Sequence, residues 1–290
     1  MARKTQHIGA CMHDVIASQC AAMGLGKERI AQFFDPDREP DPEPCPYCGR
    51  PLHHKPLVAD DPSWGWRPLP EPCENPECVA KAEVERARKE NRARIAKLHR
   101  DMRDAGIPKL YEHSTSGTFE PRNEFLRSAL DAVKTWTLRF DDALESGRGL
   151  YICGPPCSGK THLAVIAARG ALCGDHYVRF VTAADLEARI RSAGGYDPLN
   201  EYRNCALLVL DGIGMQSDQR WILTRICGLI EERRACKRPT VYTSRCSYTI
   251  LRRNLKLADA ETADAVSRLI AETSQVVKVI GAHEREGGQA

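Results

Sequence analysis

The segment from residue 149 to residue 169 constrains the fold of this chain more than any other. An apolar run, Gly149-Leu-Tyr-Ile-Cys153, is followed by Gly154-Pro-Pro-Cys-Ser-Gly-Lys-Thr161 and then by the apolar, helix-forming stretch His162-Leu-Ala-Val-Ile-Ala-Ala-Arg169. The middle part matches G-x-x-x-x-G-K-[ST], the pattern of a phosphate-binding loop between a buried strand and a helix. This order predicts an α/β domain built around that strand.

The residue types in this loop suit a polyphosphate. Glycines let successive backbone N–H groups point inward, and the following helix adds the positive end of its dipole. Lys160 is predicted to neutralise the outer phosphates, while the Thr161 hydroxyl ligates magnesium. The alternative is a glycine turn at a helix start. The predicted nucleotide-binding set is Gly154, Pro155, Pro156, Cys157, Ser158, Gly159, Lys160, Thr161 and His162.

A second magnesium ligand is predicted at the end of another buried strand. The apolar run Cys205-Ala-Leu-Leu-Val-Leu ends at Asp211, where a carboxylate can reach a metal held by the phosphate loop. The alternative is an ordinary polar residue that terminates a strand.

Residues 105–290 alternate between short apolar runs and helical stretches, which is typical of a parallel sheet with crossover helices. We therefore predict one nucleotide-binding domain over 105–290. Its strands are expected at Leu150–Cys153, Tyr177–Val181, Ala206–Leu210, Thr240–Thr243 and Val276–Ile280.

The first 104 residues divide into three predicted parts. Residues 1–40 carry a modest helical pattern and form an arm. Residues 41–80 form a small module, in a stretch whose many prolines exclude long helices and central strands. Residues 81–104 form a basic connecting helix with nine Lys or Arg against five Asp or Glu. These charges distribute around the helix, so they are expected mainly to solvate it, with DNA contact as the alternative.

Four cysteines in the proline-rich stretch have the spacing of a zinc site. Cys45 and Cys48 form a C-x₂-C pair, and Cys73 and Cys78 a C-x₄-C pair. A segment with little apolar content needs such a cross-link to fold. Two alternatives stay open: ordinary reduced thiols, and a site in which a histidine, His53 or His54, replaces one cysteine.

These motifs, taken in order, resemble the DnaC/IstB-like branch of AAA+ ATPases, the bacterial and phage replicative-helicase loaders. The resemblance covers residues from about 106 to 285, and its specific parts are the Gly-Lys-Thr-His-Leu-Ala stretch and the order of the blocks. The blocks are Gly106-Ile-Pro-Lys-Leu-Tyr111, Gly154-Pro-Pro-Cys-Ser-Gly-Lys-Thr-His-Leu-Ala164, Phe180-Val-Thr-Ala-Ala-Asp-Leu186, Leu207-Leu-Val-Leu-Asp-Gly-Ile-Gly214, Arg238-Pro-Thr-Val-Tyr-Thr-Ser244 and Ser267-Arg-Leu269.

The resemblance implies an α/β AAA+ domain that binds ATP and magnesium, preceded by the zinc module and the connecting helix. It implies that Arg268 reaches the nucleotide of a neighbouring copy, hence self-association, and it implies a DnaB-type replicative helicase and single-stranded DNA as partners. The other interpretation of Arg268 is a solvated helix residue. The expected catalytic set is Lys160, Asp211 and Arg268.

Two positions depart from the pattern of the family. Gly212 stands where loaders usually carry a second acid that orients the attacking water, and Arg245 stands where an Asn is expected to sense the terminal phosphate. The alternative is that Asp218 or another nearby acid takes the place of the missing one. Losing water activation leaves binding intact but slows turnover, since such catalysis contributes roughly hundredfold to ten-thousandfold in rate. ATP hydrolysis is therefore expected to be weak.

The sequence thus predicts an ATP-controlled loader that deposits a replicative helicase on single-stranded DNA in DNA replication. Two alternatives remain: an IstB-like transposition helper that acts on duplex DNA, and a non-hydrolysing regulatory module that binds nucleotide and one partner. No apolar run approaches the roughly 18 residues of a membrane span, and no leader follows the basic start, so a cytoplasmic protein without membrane contact is expected.

Overall fold

The structure is a computed structural model, which describes residue 18, residues 32–33 and 35, and the ranges 38–58, 61–194, 197–214, 220–255 and 260–280. Most of the predicted arm at 1–40, and Asp218, therefore lie outside the described residues. The chain divides into two compact units, Met1–Ala93 and Arg94–Ala290. The predicted domain boundaries stay predictions.

Two short antiparallel strand pairs lie between residues 43 and 66 of the first unit. Strand β1 (Glu43–Pro44) pairs with β2 (Pro51–Leu52), and β3 (Pro56–Val58) pairs with β4 (Asp61–Trp66). Proline cannot donate to a sheet ladder, so strands in so proline-rich a stretch remain short and pair only two at a time.

Helix α1 (Pro76–Asp104) is the longest helix in the described part of the chain, with 29 residues. It begins five residues before the predicted connecting helix. Pro76 occupies its first turn, where a missing N–H costs nothing, and the side chain of Asn75 accepts a hydrogen bond of 3.0 Å from Glu77 N. The helix ends before Ala105-Gly106, as the sequence predicts.

The second unit contains a five-stranded parallel sheet with the order β6-β7-β8-β5-β9. Its strands are β5 (Gly149–Cys153), β6 (Val178–Thr182), β7 (Leu207–Asp211), β8 (Thr240–Ser244) and β9 (Ser274–Lys278). All five predicted strands are present; β9 begins two residues before the predicted Val276 and ends before Ile280. The α/β fold with a central parallel sheet is confirmed.

Helices cover both faces of this sheet. They are α2 (Glu124–Leu138), α3 (Phe140–Ser146), α4 (Lys160–Cys173), α5 (Ala183–Ser192), α6 (Asn200–Asn204), α7 (Arg220–Ala235), α8 (Tyr248–Leu255) and α9 (Ala260–Thr273), with a 3-10 turn at Lys109–Tyr111. Along β5, Leu150 and Ile152 belong to the core on one face, while Tyr151 and Cys153 belong to the core on the other. Burial on both faces explains why these strands are continuously apolar.

A buried arginine ties together the amino ends of two strands. Arg233 of α7 is 1% exposed and donates to the carbonyls of Tyr202 and Cys205, which precede β7. It also donates to the Pro239 carbonyl and the Thr240 hydroxyl at the start of β8. Burial lowers the pKa of its guanidinium. It carries its charge among carbonyl dipoles at the edge of the sheet opposite the phosphate loop.

Candidate functional site

The predicted nucleotide-binding residues meet at the carboxyl ends of β5, β7 and β8. In the register of β5 and β8, Cys153 lies opposite Ser244, and β7 pairs with the other side of β8. Crevices at the carboxyl ends of parallel strands are where open α/β sheets bind ligands.

Neighbouring strands hold the base of the phosphate loop on both sides. Gly154 N donates to the Ser244 carbonyl at 3.2 Å, and Val279 N donates to the Cys153 carbonyl at 2.7 Å. A Cβ atom on Gly154 would lie 2.0 Å from the Val279 carbonyl oxygen. Only glycine fits here, so the first glycine of the motif is required by the packing of β9.

Lys160 is buried at the amino end of α4. Its ammonium group donates to the carbonyl of Pro155 and, at 3.4 Å, to the Ser158 hydroxyl, so it lies over the loop. Burial and then the positive charge of Arg245 lower its pKa. A buried cation at the amino end of a helix is an arrangement suited to an anion.

Thr161 and Asp211 come together as predicted. The Thr161 hydroxyl donates to Oδ1 of Asp211 at 3.0 Å. Hard oxygen ligands of this kind, a hydroxyl and a carboxylate beside a phosphate site, fit Mg²⁺. The structure thus brings two predicted magnesium ligands within reach of one ion.

Thr243 is a member of this cluster that the sequence prediction missed. Its hydroxyl donates to Oδ1 of Asp211 at 2.6 Å and accepts a hydrogen bond of 2.8 Å from Gly212 N, and the side chain is 2% exposed. Its place beside Ser244 at the carboxyl end of β8, the edge of the sheet where ligands bind, is the signal that the sequence offered.

His162 packs against the segment that precedes α2. Its Nε2 lies 3.2 Å from the Thr115 carbonyl oxygen and 3.4 Å from the Thr118 hydroxyl. Its ring meets the Phe119 ring edge to face, with centroids 5.3 Å apart. In this structure His162 therefore holds residues 115–119 beside the loop; its predicted nucleotide contact stays a prediction.

Gly212 and Arg245, the two departures from the family pattern, directly follow β7 and β8. Gly212 has a φ of +81°, and no heavy atom lies within 4 Å of a Cβ placed on it. Arg245 is exposed directly after β8, and its positive charge helps to lower the pKa of Lys160. A glycine thus stands where an acid is expected to orient the water, and an arginine stands where an asparagine is expected to sense the terminal phosphate.

Arg268 lies exposed on α9 between the buried residues Ser267 and Leu269. Within the described part of the chain, no hydrogen bond or ion pair engages its guanidinium. An exposed arginine is available to another molecule, and its predicted role toward a neighbouring copy stays a prediction.

The four predicted zinc ligands converge in the first unit. The sulfur atoms of Cys45, Cys48, Cys73 and Cys78 all lie within 4.8 Å of one another, and Cys48 and Cys73 are 3.7 Å apart. Tetrahedral zinc with sulfur ligands at about 2.3 Å requires sulfur atoms roughly 3.8 Å apart. The donor set and its spacing fit zinc.

Each of the two histidines has a partner outside the cysteine cluster. Nδ1 of His53 lies 3.0 Å from a Glu39 carboxylate oxygen, and Nδ1 of His54 lies 2.8 Å from the Arg67 carbonyl. Among the described residues, the cluster of metal-ligating side chains here contains cysteines alone.

The fold and the phosphate loop define the class of this protein: it is a P-loop nucleotide-binding protein with an AAA+ domain. The sequence profile of the IstB-like ATP binding protein family matches residues 82–287. The chain belongs to the IstB-like ATP-binding protein family.

Relatives in this family include helicase loaders. Over 158 residues the chain is 28% identical to the replicative helicase loader DnaC of Escherichia coli K12, and over 159 residues it is 28% identical to that of Buchnera aphidicola subsp. Baizongia pistaciae. The first match spans 52% of this chain and 62% of the relative, the second 52% and 63%. The chain therefore spans less than two thirds of the length of these relatives.

Two solved structures superpose on part of this chain. The crystal structure of the DnaC helicase loader superposes with a TM-score of 0.50 at 26% identity and covers 59% of this chain and 99% of that one. The crystal structure of DnaI superposes with a TM-score of 0.52 at 16% identity, covering 60% and 94%, which supports the fold.

None of the helices in the described ranges is both long enough and apolar enough to cross a membrane.

Proposed function

We propose that this chain binds ATP with magnesium in the phosphate loop of its second unit. The loop amides and Lys160 hold the phosphates, and Thr161 and Asp211 hold the ion. The observation that carries the proposal is the convergence of Lys160, Thr161 and Asp211 at one end of the sheet. Bound magnesium would supply positive charge against the phosphate oxygens.

The four cysteines of the first unit bind zinc in this proposal. Four thiolates at tetrahedral spacing form a closed structural site, which contributes folding energy and leaves no open position for catalysis. A unit with short strands and many prolines gains its stability from such a site.

The biological role that we propose is that of an ATP-dependent helicase loader, which helps to deposit a DnaB-type replicative helicase on single-stranded DNA. Supporting this role are the family, the relatives named replicative helicase loader, and the AAA+ fold. Arg268 reaches the nucleotide of a neighbouring copy, so that ATP links the copies. The fork shape of its guanidinium suits phosphate oxygens.

Hydrolysis by this chain is slow in the proposal, because Gly212 offers no base to the attacking water. ATP then acts as a switch whose binding changes affinity for partners. Gly212 and Arg245 also favour a second candidate, a non-hydrolysing regulatory module; turnover measured with helicase and single-stranded DNA present separates the two. A transposition helper acting on duplex DNA remains the third.

The decisive experiment combines the full chain, a purified DnaB-type helicase of the source organism and circular single-stranded DNA, with and without ATP. We expect the chain to co-elute with the helicase and to increase the amount of helicase retained on the circle when ATP is present. Lys160→Ala should abolish the ATP dependence. Binding to duplex DNA without binding to the helicase would instead identify the transposition helper.

A further inference from the structure

The zinc module and the amino-terminal half of α1 enclose a basic groove in the first unit. The groove has a volume of about 620 Å³ and is lined by one face of the helix together with the ring of Tyr47, which lies between two of the cysteines. We call this site the basic groove. Its lining residues are Tyr47, Ala80, Lys81, Val84, Glu85, Arg88, Lys89 and Arg92.

The basic residues of α1 distribute around the helix, as the sequence predicts, but four of them line the groove. At 3.6 residues per turn, Lys81, Arg88 and Arg92 fall on one face of the helix. Glu83 and Glu90 fall about 180° away on the opposite face. The groove therefore gathers four cations and a single carboxylate.

That carboxylate is already engaged. The Tyr47 hydroxyl donates a hydrogen bond to Glu85 Oε2. Within the part of the chain that the structure describes, none of the four basic side chains of the groove has a carboxylate partner within 4 Å. With four cations against one carboxylate, the groove keeps an excess of positive charge, which attracts an anionic chain.

We propose that the basic groove binds the backbone of single-stranded DNA. Proteins that bind single strands combine a positively charged groove, which follows the phosphates, with aromatic rings on which bases stack. The three cations Lys81, Arg88 and Arg92 extend over about 16 Å of helix, and Tyr47 is the ring beside them.

This inference deepens the proposed function, since it rests on single-stranded DNA as a partner, but it uses none of the residues of the ATP site. The groove also depends on the zinc module, because Tyr47 is held within the Cys45 to Cys48 turn. Removing the metal is therefore expected to weaken DNA binding.

The test is fluorescence anisotropy of a labelled oligothymidylate with the full zinc-loaded chain, without nucleotide, over a series of salt concentrations. The groove variant is K81A/R88A/R92A. Its matched control, R86A/R94A/R100A, removes three charges from the other faces of the same helix. Zinc content and thermal melting show that both variants remain folded.

We expect the groove variant to lose about tenfold or more in affinity, and its salt slope to fall by about 2, since each phosphate contact to a single strand contributes about 0.7. The control should change little. Equal losses in both variants, or no loss in the groove variant, would overturn the inference while leaving the ATP site untouched. So would tighter binding of a duplex of the same length.

Two outcomes separate this inference from the proposed function. If the parent chain itself fails to bind single-stranded DNA, both the groove and the DNA partner of the loader are refuted. If the parent chain binds the oligonucleotide and the groove variant binds it equally well, the DNA partner stands and the groove is refuted.

Discussion

The hydroxyl of Thr243 donates a hydrogen bond of 2.6 Å to Oδ1 of Asp211, the same oxygen that accepts from Thr161. Thr243 also accepts from Gly212 N, so one buried hydroxyl fixes both the carboxylate and the backbone after it. The geometry of the proposed magnesium site therefore depends on a residue of β8 that would not itself contact the ion.

Replacing Thr243 by valine, which has the same shape, should weaken binding of ATP in the presence of magnesium by about tenfold. A hydrogen bond to a charged group contributes about 1.5 to 3 kcal/mol, and 1.4 kcal/mol corresponds to a factor of ten. Calorimetry with magnesium and with chelator measures the effect. Thr243→Ser should retain most of the affinity; an equal loss with and without magnesium would refute the link to the ion.

Gly212→Glu should raise the rate of ATP hydrolysis by about tenfold or more, because it supplies the missing carboxylate where a side chain meets no other atom. The positive φ of this residue makes any side chain costly, by about 1 to 2 kcal/mol. Gly212→Gln carries the same backbone cost without a base. A steady-state phosphate-release assay decides: if glutamate and glutamine give the same rate, the carboxylate is not what is missing.

Cys45→Ser should reduce zinc to well below one equivalent and open the first unit to proteolysis, because three thiolates hold the metal less tightly than four. ATP affinity should persist, since Lys160 and Asp211 belong to the second unit. Metal analysis of protein purified without chelator provides the measurement. Cys236→Ser, which alters an exposed cysteine outside the cluster, serves as the control and should keep its zinc.

Arg268→Ala should bind ATP as the parent chain does but should fail to support hydrolysis in assemblies, since its guanidinium acts on a neighbouring copy. Mixing experiments provide the measurement. Lys160→Ala subunits cannot bind nucleotide but offer an arginine, whereas Arg268→Ala subunits bind nucleotide but lack it. Their mixture should recover activity that neither variant has alone. A mixture as inactive as its parts would argue against action between copies.

Arg233→Met should lower the free energy of unfolding of the second unit by on the order of 3 kcal/mol. The change removes a buried donor and leaves carbonyls before β7 and β8 without partners, and each such group costs about 1 to 3 kcal/mol. Urea denaturation measures the loss. Arg234→Met is the control: Arg234 pairs at the surface with Glu272, and such pairs contribute about 0 to 1 kcal/mol.

The parallel sheet and the phosphate loop could be predicted because their signals are local. Strands buried on both faces are continuously apolar, and the loop glycines have fixed spacing, so Gly154 and Lys160 could be assigned before any contact was known. Side chains that come to the site from distant segments could not be predicted. Thr243 and Phe119 lie at the site because of the order of the strands and the packing of the helices, which are not encoded in any local motif.

The basic groove was not predicted for a different reason. Its four cations belong to a helix whose basic residues lie all around it, and Tyr47 comes from a segment more than thirty residues away. A helical projection of the sequence would have revealed the face, but the hydrogen bond that occupies Glu85 depends on how the zinc module folds against the helix.

Strand β5 lies between β8 and β9, and both of its neighbours come from later parts of the chain. During synthesis on a ribosome, the phosphate loop therefore emerges long before the residues that anchor it. Val279, whose amide holds the Cys153 carbonyl, is made more than a hundred residues later. A nascent chain interrupted before that point would contain the whole nucleotide-binding motif but would lack the contacts from neighbouring strands that hold the base of the loop.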